Sequence, residues 1–313
     1  MPGPVLVTGA SGFAGSHLIE QLAGRTNLVA WTRSEPAHEL TTLATWRRVD
    51  LLDREQVRQA IRELKPSAVY HCAGAAHVAD SWQNTTKPLA SNVLATHYLF
   101  DALRLVGAEC RVLIPGSATV YASSAAPLDE QAALAPASPY ALSKLAQEQL
   151  GLRAVHDDEG LQVVVTRSFN HTGPRQSADF FAPAMARQIA LIERGGSEPV
   201  IRAGNLEAER DLTDVRDTVR AYRLLMDKGI PGAIYNVSSG VSRPMRAVLE
   251  ELVRRSRVPV QIETDPARLR PRDIPVQVGD STRLRDTTGW TPVITFERML
   301  DDLLDYWRNA AAP

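Results

Sequence analysis

Tyr140 and Lys144 are the residues of this chain whose types and spacing most clearly suggest chemistry. They lie four residues apart in the stretch SPYALSK, and residues four apart on a helix share one face. A lysine ammonium beside a phenol favours the phenolate and would lower the pKa of Tyr140, as proton transfer near neutral pH requires. A surface helix with an ordinary Tyr and Lys is the alternative. The pair predicts a site that moves a proton.

A glycine-rich loop near the start of the chain indicates which reaction this proton transfer accompanies. The loop reads TGASGFAG over residues 8–15, after an apolar run and before an amphipathic stretch. Gly9 would permit a tight turn, Gly12 would let the backbone approach a pyrophosphate, and Gly15 would allow close helix–strand packing. Phe13 and Ala14 would open a helix whose N–H groups face the phosphates. Loop and pair together predict a nicotinamide cofactor, unless the loop is a simple glycine-rich turn.

The end of the second apolar run predicts which form of the cofactor is bound. A carboxylate there would hydrogen-bond a free ribose 2′-hydroxyl, whereas an arginine accommodates a 2′-phosphate. Arg33 and Ser34 follow this run, with no acid before Glu35. Arg33 can fork onto a phosphate and Ser34 can donate to it, which favours NADP(H) over NAD(H). Arg33 could instead be a solvated strand-end charge. Asp50 and Leu51 could cap the adenine, unless Asp50 is a helix N-cap.

The composition excludes several classes of protein and partner. The 313 residues carry a net charge of −1, with no basic stripe of the kind that nucleic acid requires. The two cysteines, Cys72 and Cys110, form no disulfide framework, and the seven histidines show no metal-ligand spacing. Met1 leads almost directly into an apolar run, which leaves no room for a signal peptide, and no run approaches the roughly 20 residues of a membrane span. We expect a soluble, cytoplasmic protein without a metal, nucleic acid or membrane partner.

Short apolar runs alternate with amphipathic stretches in the first half of the chain. This alternation predicts an α/β fold with a doubly wound parallel sheet of the Rossmann type. The predicted strands are Pro4–Thr8, Leu28–Thr32, Trp46–Asp50, Ala68–Ala73, Arg111–Gly116 and Leu161–Arg167. The predicted helices of this half are Phe13–Gly24, Asp53–Leu64, Leu89–Val106 and Pro139–His156.

In the second half of the chain, apolar runs and amphipathic stretches alternate less regularly, which predicts a smaller lobe. We expect residues 1–174, with part of 211–240, to form the NADP-binding domain. Residues 175–313 would form most of a partly interleaved α/β lobe that binds the substrate. A charged loop is expected through Asp211, and a loop rich in proline and arginine over Asp265–Pro275.

These residues together resemble the extended short-chain dehydrogenase/reductase family. The resemblance covers nearly the whole chain through the glycine loop, HCAG at 71–74, GSATVY at 116–121 and the Tyr140/Lys144 pair. It implies that Ser117 hydrogen-bonds the substrate oxygen, that Tyr140 exchanges its proton, and that Lys144 holds the nicotinamide ribose. Asn92 matches a position that steadies the active site, although a helix-face Asn bonded to backbone explains it equally well. The HCAG stretch adds three cofactor-binding residues: Cys72, Ala73 and Gly74.

Three stretches of the second half are similar to one branch of that family, which contains the GDP-mannose 4,6-dehydratases and GDP-6-deoxy-mannose reductases. They read RSFNHTGP at 167–174, GNLEAERD at 204–211 and LRPRD at 269–273. The likeness implies that Asn170, Arg210 and Arg270 contact a GDP-linked sugar, and two arginines on separate loops could clamp a diphosphate. The alternative makes them loop arginines in surface ion pairs. The likeness also implies a homodimer through the helices at Leu89–Val106 and Tyr140–His156.

One position departs from the dehydratases of this branch, which carry a Glu where this chain has Thr119. That carboxylate would abstract the proton beside a transient ketone, and a threonine hydroxyl cannot do so at neutral pH. Thr119 is therefore expected only to pack or hydrogen-bond in the floor of the substrate pocket. Dehydration is disfavoured, and chemistry at C4 of the sugar remains.

The leading hypothesis is therefore reduction of the C4 ketone of GDP-4-keto-6-deoxy-D-mannose by NADPH, with Tyr140 as proton donor and Ser117 stabilising the alkoxide. A nucleotide-sugar 4-epimerase that retains NAD is the second hypothesis, since the same three residues could oxidise and reduce C4. A non-catalytic NADP-binding sensor is the third. His77 could approach the sugar, whereas His71 is expected to be a core histidine at a strand end.

Overall fold

A seven-stranded parallel sheet forms the centre of the structure, a computed structural model that describes residues 3–25, 27–107, 109–156, 160–266 and 274–310. The strand order in this sheet is β10-β6-β5-β4-β1-β2-β3. In chain order the strands of the described residues are β1 (Val5–Thr8), β2 (Leu28–Thr32), β3 (Thr45–Arg48), β4 (Ala68–His71), β5 (Cys110–Ser117), β6 (Leu161–Ser168), β7 (Asn170–Thr172), β8 (Val200–Ala203), β9 (Glu209–Asp214), β10 (Ile234–Val237), β11 (Ser242–Pro244), β12 (Gln261–Thr264) and β13 (Val276–Gln277).

Helices cover both faces of this sheet. In chain order the helices of the described residues are α1 (Phe13–Leu22), α2 (Arg54–Leu64), α3 (Val78–Gln83), α4 (Thr86–Pro88), α5 (Ala95–Leu105), α6 (Pro139–His156), α7 (Phe181–Glu193), α8 (Val215–Lys228), α9 (Met245–Arg254), α10 (Thr282–Thr288) and α11 (Phe296–Ala310), of which α7, α9 and α11 pack away from the central sheet. A π-helical segment, Leu89–Leu94, joins α4 to α5, and 3₁₀ turns lie at His38–Leu40 and Ala118–Val120. No helix among the described residues is both long enough and apolar enough to cross a membrane.

Successive apolar residues along a strand pack on opposite faces of the sheet. Val5 and Val7 of β1 pack in one core with α1 and α8, while Leu6 packs in a second core with α2 and α5. This division follows from the period of two in a strand. The inner strands β1, β2 and β4 are buried on both faces and are almost entirely apolar, whereas the edge strand β3 is largely exposed. The predicted doubly wound parallel sheet is confirmed.

The topology opens a crevice where β1 lies between β2 and β4. The chain winds outward from β1 to β3 on one side and from β4 to β6 on the other. Ligands of doubly wound sheets bind at such a switch point, beyond the carboxyl ends of the strands. The loops that begin at Gly9, Arg33 and Cys72 all leave the sheet at this edge.

A third apolar core lies in the second half, between α7, α9 and α11 and the parallel pair β8–β12. A small sheet made of β7, β9, β11 and β13 lies beside it. The chain also returns to the central sheet, where β10 pairs with β6. Residues 234–237 thus complete the sheet that the first half begins.

The prediction of a charged loop through Asp211 is wrong, because Asp211 lies in the strand β9. Polar side chains lie on both faces of β9, so the strand lacks the alternation that would reveal it. Asp211 is fully buried and accepts hydrogen bonds from the Ser239 N–H, the Ser239 hydroxyl and the Gly240 N–H. Such bonds satisfy a carboxyl that the sequence pattern assigns to solvent.

Candidate active site

The glycine loop is shaped by two close approaches of backbone. Gly9 has a φ of +64°, and a Cβ there would lie 2.6 Å from the backbone nitrogen of Ala73. A Cβ on Gly15 would lie 2.2 Å from the carbonyl oxygen of Gly9. The first contact holds the loop against the end of β4, and the second holds α1 against the loop. Both glycines are therefore required by packing, as the sequence predicted for Gly15.

A cleft of about 200 Å³ lies at this edge of the sheet. The exposed Arg33 and Ser34 are among the residues that line it, and their contact with a ribose phosphate stays a prediction. Phe13 and Ala14 begin α1 beside the loop, and Gly15 lies beneath it. The residues that line the cleft are Gly9, Ser11, Gly12, Trp31, Thr32, Arg33, Ser34, Val49, Asp50, Leu51, Leu52, Cys72, Ala73, Gly74, Ser91 and Ala95.

Two details of this cleft differ from the sequence interpretation. The alternative in which Asp50 is a helix N-cap is wrong, because Asp53 caps α2 by accepting from the Gln56 N–H. Ser11 was missed: its hydroxyl lies 2.6 Å from that of Thr32 and 3.0 Å from that of Ser34. Its place inside the glycine loop was the signal that could have identified it.

Tyr140 and Lys144 are both buried near the start of α6. Burial raises the pKa of Tyr140, and a hydrogen bond with Ser117 opposes that shift. The Lys144 ammonium donates to the carbonyl oxygen of Pro115 at 2.6 Å and to the Gln147 side-chain oxygen at 2.7 Å. The expected fall in the Tyr140 pKa is therefore wrong, because burial dominates and the ammonium is bound elsewhere. Tyr140 is protonated at neutral pH and can donate a proton.

Burial also lowers the pKa of Lys144, to about 8. A lysine in an apolar setting loses its proton more readily, because the charged form is poorly solvated. Near neutral pH most of this amine is still the ammonium, and above about pH 8 it becomes neutral.

Ser117 and Thr119 meet at the carboxyl end of β5. The two hydroxyl oxygens are 2.9 Å apart, and the Thr119 N–H donates to the Ser117 hydroxyl at 3.3 Å. Since Ser117 also bonds Tyr140, the Thr119 side chain lies two hydrogen bonds from the phenol. Thr119 therefore has the hydrogen-bonding role expected for it, and no carboxylate occupies the position.

Asn92 lies in the π-helical segment and connects two parts of the site. Its side-chain oxygen accepts from the Ala75 N–H at 2.8 Å, and its amide nitrogen donates to the Ser143 hydroxyl at 2.9 Å. A Cβ on Gly74, whose φ is +156°, would lie 2.3 Å from that oxygen. Asn92 thus binds backbone, as the second interpretation expected, and also links the cleft loop to α6. A role in steadying the active site stays a prediction. Single π-helical turns are frequent at functional sites.

A larger cavity, of about 440 Å³, lies between β7, β9 and the start of α7. Asn170 and Arg210 line it, whereas Arg270 lies outside the described residues. An Arg210 nitrogen donates to the carbonyl oxygens of Glu209 at 2.8 Å and Ile274 at 2.7 Å, which orients the guanidinium. The sequence interpretation missed other residues of the cavity: Gln176, Phe180, Phe181 and Met185 lie on or just before α7, and Asn205 follows β8.

A cluster of side chains, the Arg175 clamp, joins this cavity to the helix after the glycine loop. The Phe13 ring stacks on His171 at 5.7 Å, and His171 lines the cavity. Arg175 has a φ of +70° and donates to the Ser16 hydroxyl and to both carboxylate oxygens of Glu20. His17 lies 2.9 Å from Arg175. The clamp fixes the cavity strand β7 against α1.

The two histidines singled out from the sequence, His71 and His77, have different surroundings. His71 is the buried core histidine that was expected, and its two ring nitrogens contact the hydroxyls of Thr8 and Thr96. The ring of His77 lies 4.9 Å from that of Phe180, which lines the larger cavity.

A doubly wound sheet with a glycine-loop cleft, and a Ser, Tyr and Lys at its edge, defines an extended short-chain dehydrogenase/reductase. Comparison with known families narrows this class. The model of the GDP-mannose 4,6 dehydratase family matches residues 6–303, and the chain belongs to that family.

Individual relatives cover almost the whole chain. The GDP-6-deoxy-D-mannose reductase of Pseudomonas aeruginosa is 36% identical over an alignment of 308 residues, which covers 97% of each chain. The solved structure of RMD from Pseudomonas aeruginosa complexed with NADPH is 34% identical, covers 99% of this chain and 100% of its own, and superposes with a TM-score of 0.87. The Thermus thermophilus UDP-glucose 4-epimerase in complex with NAD is 28% identical, covers 98% and 100%, and also has a TM-score of 0.87.

Proposed function

We propose that this protein reduces the C4 ketone of GDP-4-keto-6-deoxy-D-mannose with NADPH and forms GDP-6-deoxy-D-mannose (GDP-D-rhamnose). The observation that carries the proposal is Thr119, hydrogen-bonded to Ser117 in the position where related dehydratases carry a glutamate. Without that carboxylate the site retains a proton donor and an oxyanion partner but no base for dehydration. The 36% identity to a GDP-6-deoxy-D-mannose reductase supports the same choice.

The cleft at the switch point fits a dinucleotide. Gly9 and Gly15 let the loop pack closely against Ala73 and α1, and the start of α1 presents backbone N–H groups toward the loop. Asp50 and Leu51 would border the adenine, and Arg33 with Ser34 would receive a 2′-phosphate. When bound, NADPH supplies the hydride. The similarity to a structure complexed with NADPH supports the phosphorylated cofactor.

The residues at the end of β5 and the start of α6 would handle the proton. The Ser117 hydroxyl donates a hydrogen bond to the ketone oxygen and stabilises the negative charge that develops there. Tyr140, whose raised pKa keeps it protonated, gives its proton to the same oxygen. Lys144 holds the nicotinamide ribose through its ammonium.

The larger cavity would hold the nucleotide-sugar. Asn170 and Arg210 line it, and Arg270 belongs to a loop that the resemblance assigns to the same role. A guanidinium can bind a diphosphate through two parallel N–H bonds, and Arg210 is already oriented by two carbonyl groups. The Arg175 clamp would keep Asn170 at a fixed distance from the cofactor cleft.

A homodimer through α5 and α6 is part of the proposal. Leu94, Leu105 and Leu142 lie on these helices or the π-helical segment before them, with 40%, 61% and 53% of their surfaces exposed. Exposed large apolar side chains on neighbouring helices favour a partner surface.

The test offers GDP-4-keto-6-deoxy-D-mannose and NADPH to the purified protein and follows the absorbance of the reduced cofactor. We expect NADPH to be consumed with the ketone and a 4-hydroxyl product to appear by NMR. NADH should be consumed more slowly. Failure to consume NADPH, together with turnover of a UDP- or dTDP-linked sugar, would contradict the GDP assignment.

A 4-epimerase remains the second candidate, because the chain is also similar to an epimerase solved with NAD. An epimerase needs no added reductant, since the NAD that accepts the hydride when C4 is oxidised returns the hydride to C4 at the same site. Protein that purifies with one NAD per chain and ignores added NADPH would support this candidate.

A further inference from the structure

A chain of buried hydrogen bonds leads from Lys144 to the start of the glycine loop. The ammonium donates to the Gln147 side-chain oxygen at 2.7 Å, and the Gln147 amide nitrogen donates to the Thr96 hydroxyl at 2.8 Å. Thr96 lies 2.9 Å from the Nε2 of His71, and the Nδ1 of His71 lies 2.8 Å from the Thr8 hydroxyl. The chain thus crosses from α6 through α5 and β4 to β1. It is separate from the bonds of Ser117 and Tyr140.

The direction of each bond in this chain is fixed by its neighbours. The Thr96 hydroxyl donates to the backbone oxygen of Asn92 at 2.5 Å, so its oxygen must accept from both Gln147 and His71. His71 therefore carries its proton on Nε2 and accepts from Thr8 at Nδ1. Burial lowers the pKa of His71 to about 3, so the ring is neutral. Because Thr96 offers only an acceptor, the Gln147 amide must turn its nitrogen to Thr96 and its oxygen to Lys144.

The groups around Lys144 do not balance its charge. His71 and Cys72 face it from the end of β4, and burial raises the pKa of the Cys72 thiol to about 12. Tyr140, one turn earlier on α6, is also protonated. Glu148, on the same helix, is bound to Arg167. In the described part of the chain the ammonium is therefore stabilised by two neutral dipoles, the Pro115 carbonyl and the Gln147 amide.

We propose that Gln147 is a positioning residue, which holds the Lys144 ammonium in place and in its charged form, and that Thr96 and His71 fix the orientation of its amide. The two acceptors use two of the three N–H donors of the ammonium, and the third is left for a ligand. The ligand role of Lys144 rests on the proposed function. The protonation of Lys144 does not, so the two can be tested apart.

The protonation of Lys144 can be measured directly, because the protein contains only four lysines: Lys65, Lys87, Lys144 and Lys228. Protein grown with lysine labelled at Cε gives one NMR signal for each, and Lys144→Arg identifies the signal of interest. We expect this signal to titrate with a midpoint near pH 8. Gln147→Met should lower the midpoint by about one pH unit, because the ammonium loses an acceptor. Gln147→Glu should raise it by about the same amount, because a carboxylate favours the charged form.

Gln149 provides the matched control, since it lies on the same helix but is exposed. Gln149→Met and Gln149→Glu should leave the Lys144 midpoint unchanged. Thr96→Val should lower the midpoint because the Gln147 amide is no longer held, and Thr96→Ser should restore it. If Gln147→Met does not fold, the two Thr96 variants decide the question. Equal midpoints in all variants, or shifts of the same sign for Met and Glu at position 147, would overturn the assignment.

NADPH affinity at pH 7 and pH 9 separates this inference from the proposed function. If both are right, Gln147→Met should weaken NADPH binding, with a larger loss at pH 9 than at pH 7. If wild-type protein fails to bind NADPH while the NMR midpoints move as expected, the proposed cofactor is contradicted and the role of Gln147 is supported.

Discussion

At the scale of single residues, burial decides how the site can work. Burial removes both side chains from water, which raises the pKa of the Tyr140 phenol and lowers the pKa of the Lys144 amine. A phenol that keeps its proton suits a reaction in which the substrate oxygen becomes more basic. The raised pKa is consistent with the role of proton donor that we propose for Tyr140.

The proton transfer can be tested at Tyr140. Tyr140→Phe should reduce kcat by about 10²- to 10⁴-fold, because the developing alkoxide loses its proton donor. The Kd for NADPH should stay within about twofold, measured by quenching of the reduced cofactor's fluorescence. Tyr306→Phe on α11 serves as the control and should change neither value. Full activity of the Tyr140 variant would favour the non-catalytic interpretation.

The proposed preference for NADPH can be tested at Arg33. Arg33→Ser should weaken NADPH binding by about tenfold and leave NADH binding unchanged, because only NADPH carries the phosphate that Arg33 would fork onto. Arg298→Ser, at an exposed position on α11, is the matched loss of one positive charge. Equal loss of affinity for NADPH and NADH would mean that Arg33 does not recognise the 2′-phosphate.

At the scale of elements, the contact of α1 with the glycine loop is the most constrained part of the cleft. Gly15→Ala should weaken NADPH binding at least tenfold and lower the free energy of unfolding by about 1–3 kcal/mol, because its Cβ would collide with the Gly9 carbonyl. Gly196→Ala is the control, since the nearest atom to its Cβ is 3.4 Å away. Isothermal titration and urea unfolding would measure the two effects.

The Arg175 clamp makes stability depend on pH. Burial alone would raise the pKa of Glu20, but hydrogen bonds from His17 and Arg175 lower it to about 2. A carboxyl with a lowered pKa stabilises the fold above its unfolded pKa of 4.5, and the contribution is lost as pH falls toward 2.

The pH dependence of stability can be measured by replacing Glu20. Glu20→Gln should lower the free energy of unfolding at pH 7 by about 1 kcal/mol, a small value because the side chain is 40% exposed and screened by solvent. The difference from wild type should shrink between pH 4.5 and pH 2. Glu39→Gln, at an exposed carboxyl, should show no such trend. A constant difference across this range would contradict the assigned pKa.

Local patterns predicted the elements near the cofactor cleft, and contacts distant in sequence account for what was missed. β1, the glycine loop and α1 form one continuous stretch whose periods and glycines are readable in order. Gln147 was missed because its importance depends on Thr96, 51 residues away on α5. The direction of the Tyr140 pKa shift was wrong for a related reason, since burial is a property of the folded chain.

At the scale of the whole molecule, the described residues form three sheets and four apolar clusters, and the chain crosses between them more than once. β9 and β10 were not predicted, because β9 buries polar groups on both faces and the buried Asn236 interrupts the apolar run of β10. The doubly wound class was predicted, since it depends only on the order of strands and helices. The cavity was predicted through Asn170 and Arg210 alone.

The proposed homodimer can be tested at Leu142, which is 53% exposed on α6. Leu142→Arg should convert a dimer to a monomer of 34.3 kDa, because a buried unpaired charge opposes association. Light scattering coupled to size exclusion would report the mass. Ile230→Arg is the control, at a 62% exposed residue outside α5 and α6. A wild-type monomer, or a Leu142 variant that remains a dimer, would place the partner surface elsewhere.

The late arrival of β10 has a consequence for biosynthesis. Until Ile234–Val237 leave the ribosome, β6 is an unpaired edge, and the face covered by α8 exposes apolar side chains. A nascent chain or a truncated fragment that stops near residue 174 would therefore expose both an unpaired strand edge and apolar side chains of the core. Such fragments should aggregate or require a chaperone, so that release of the nearly complete chain, rather than synthesis of its first half, is the moment at which the dinucleotide cleft can form.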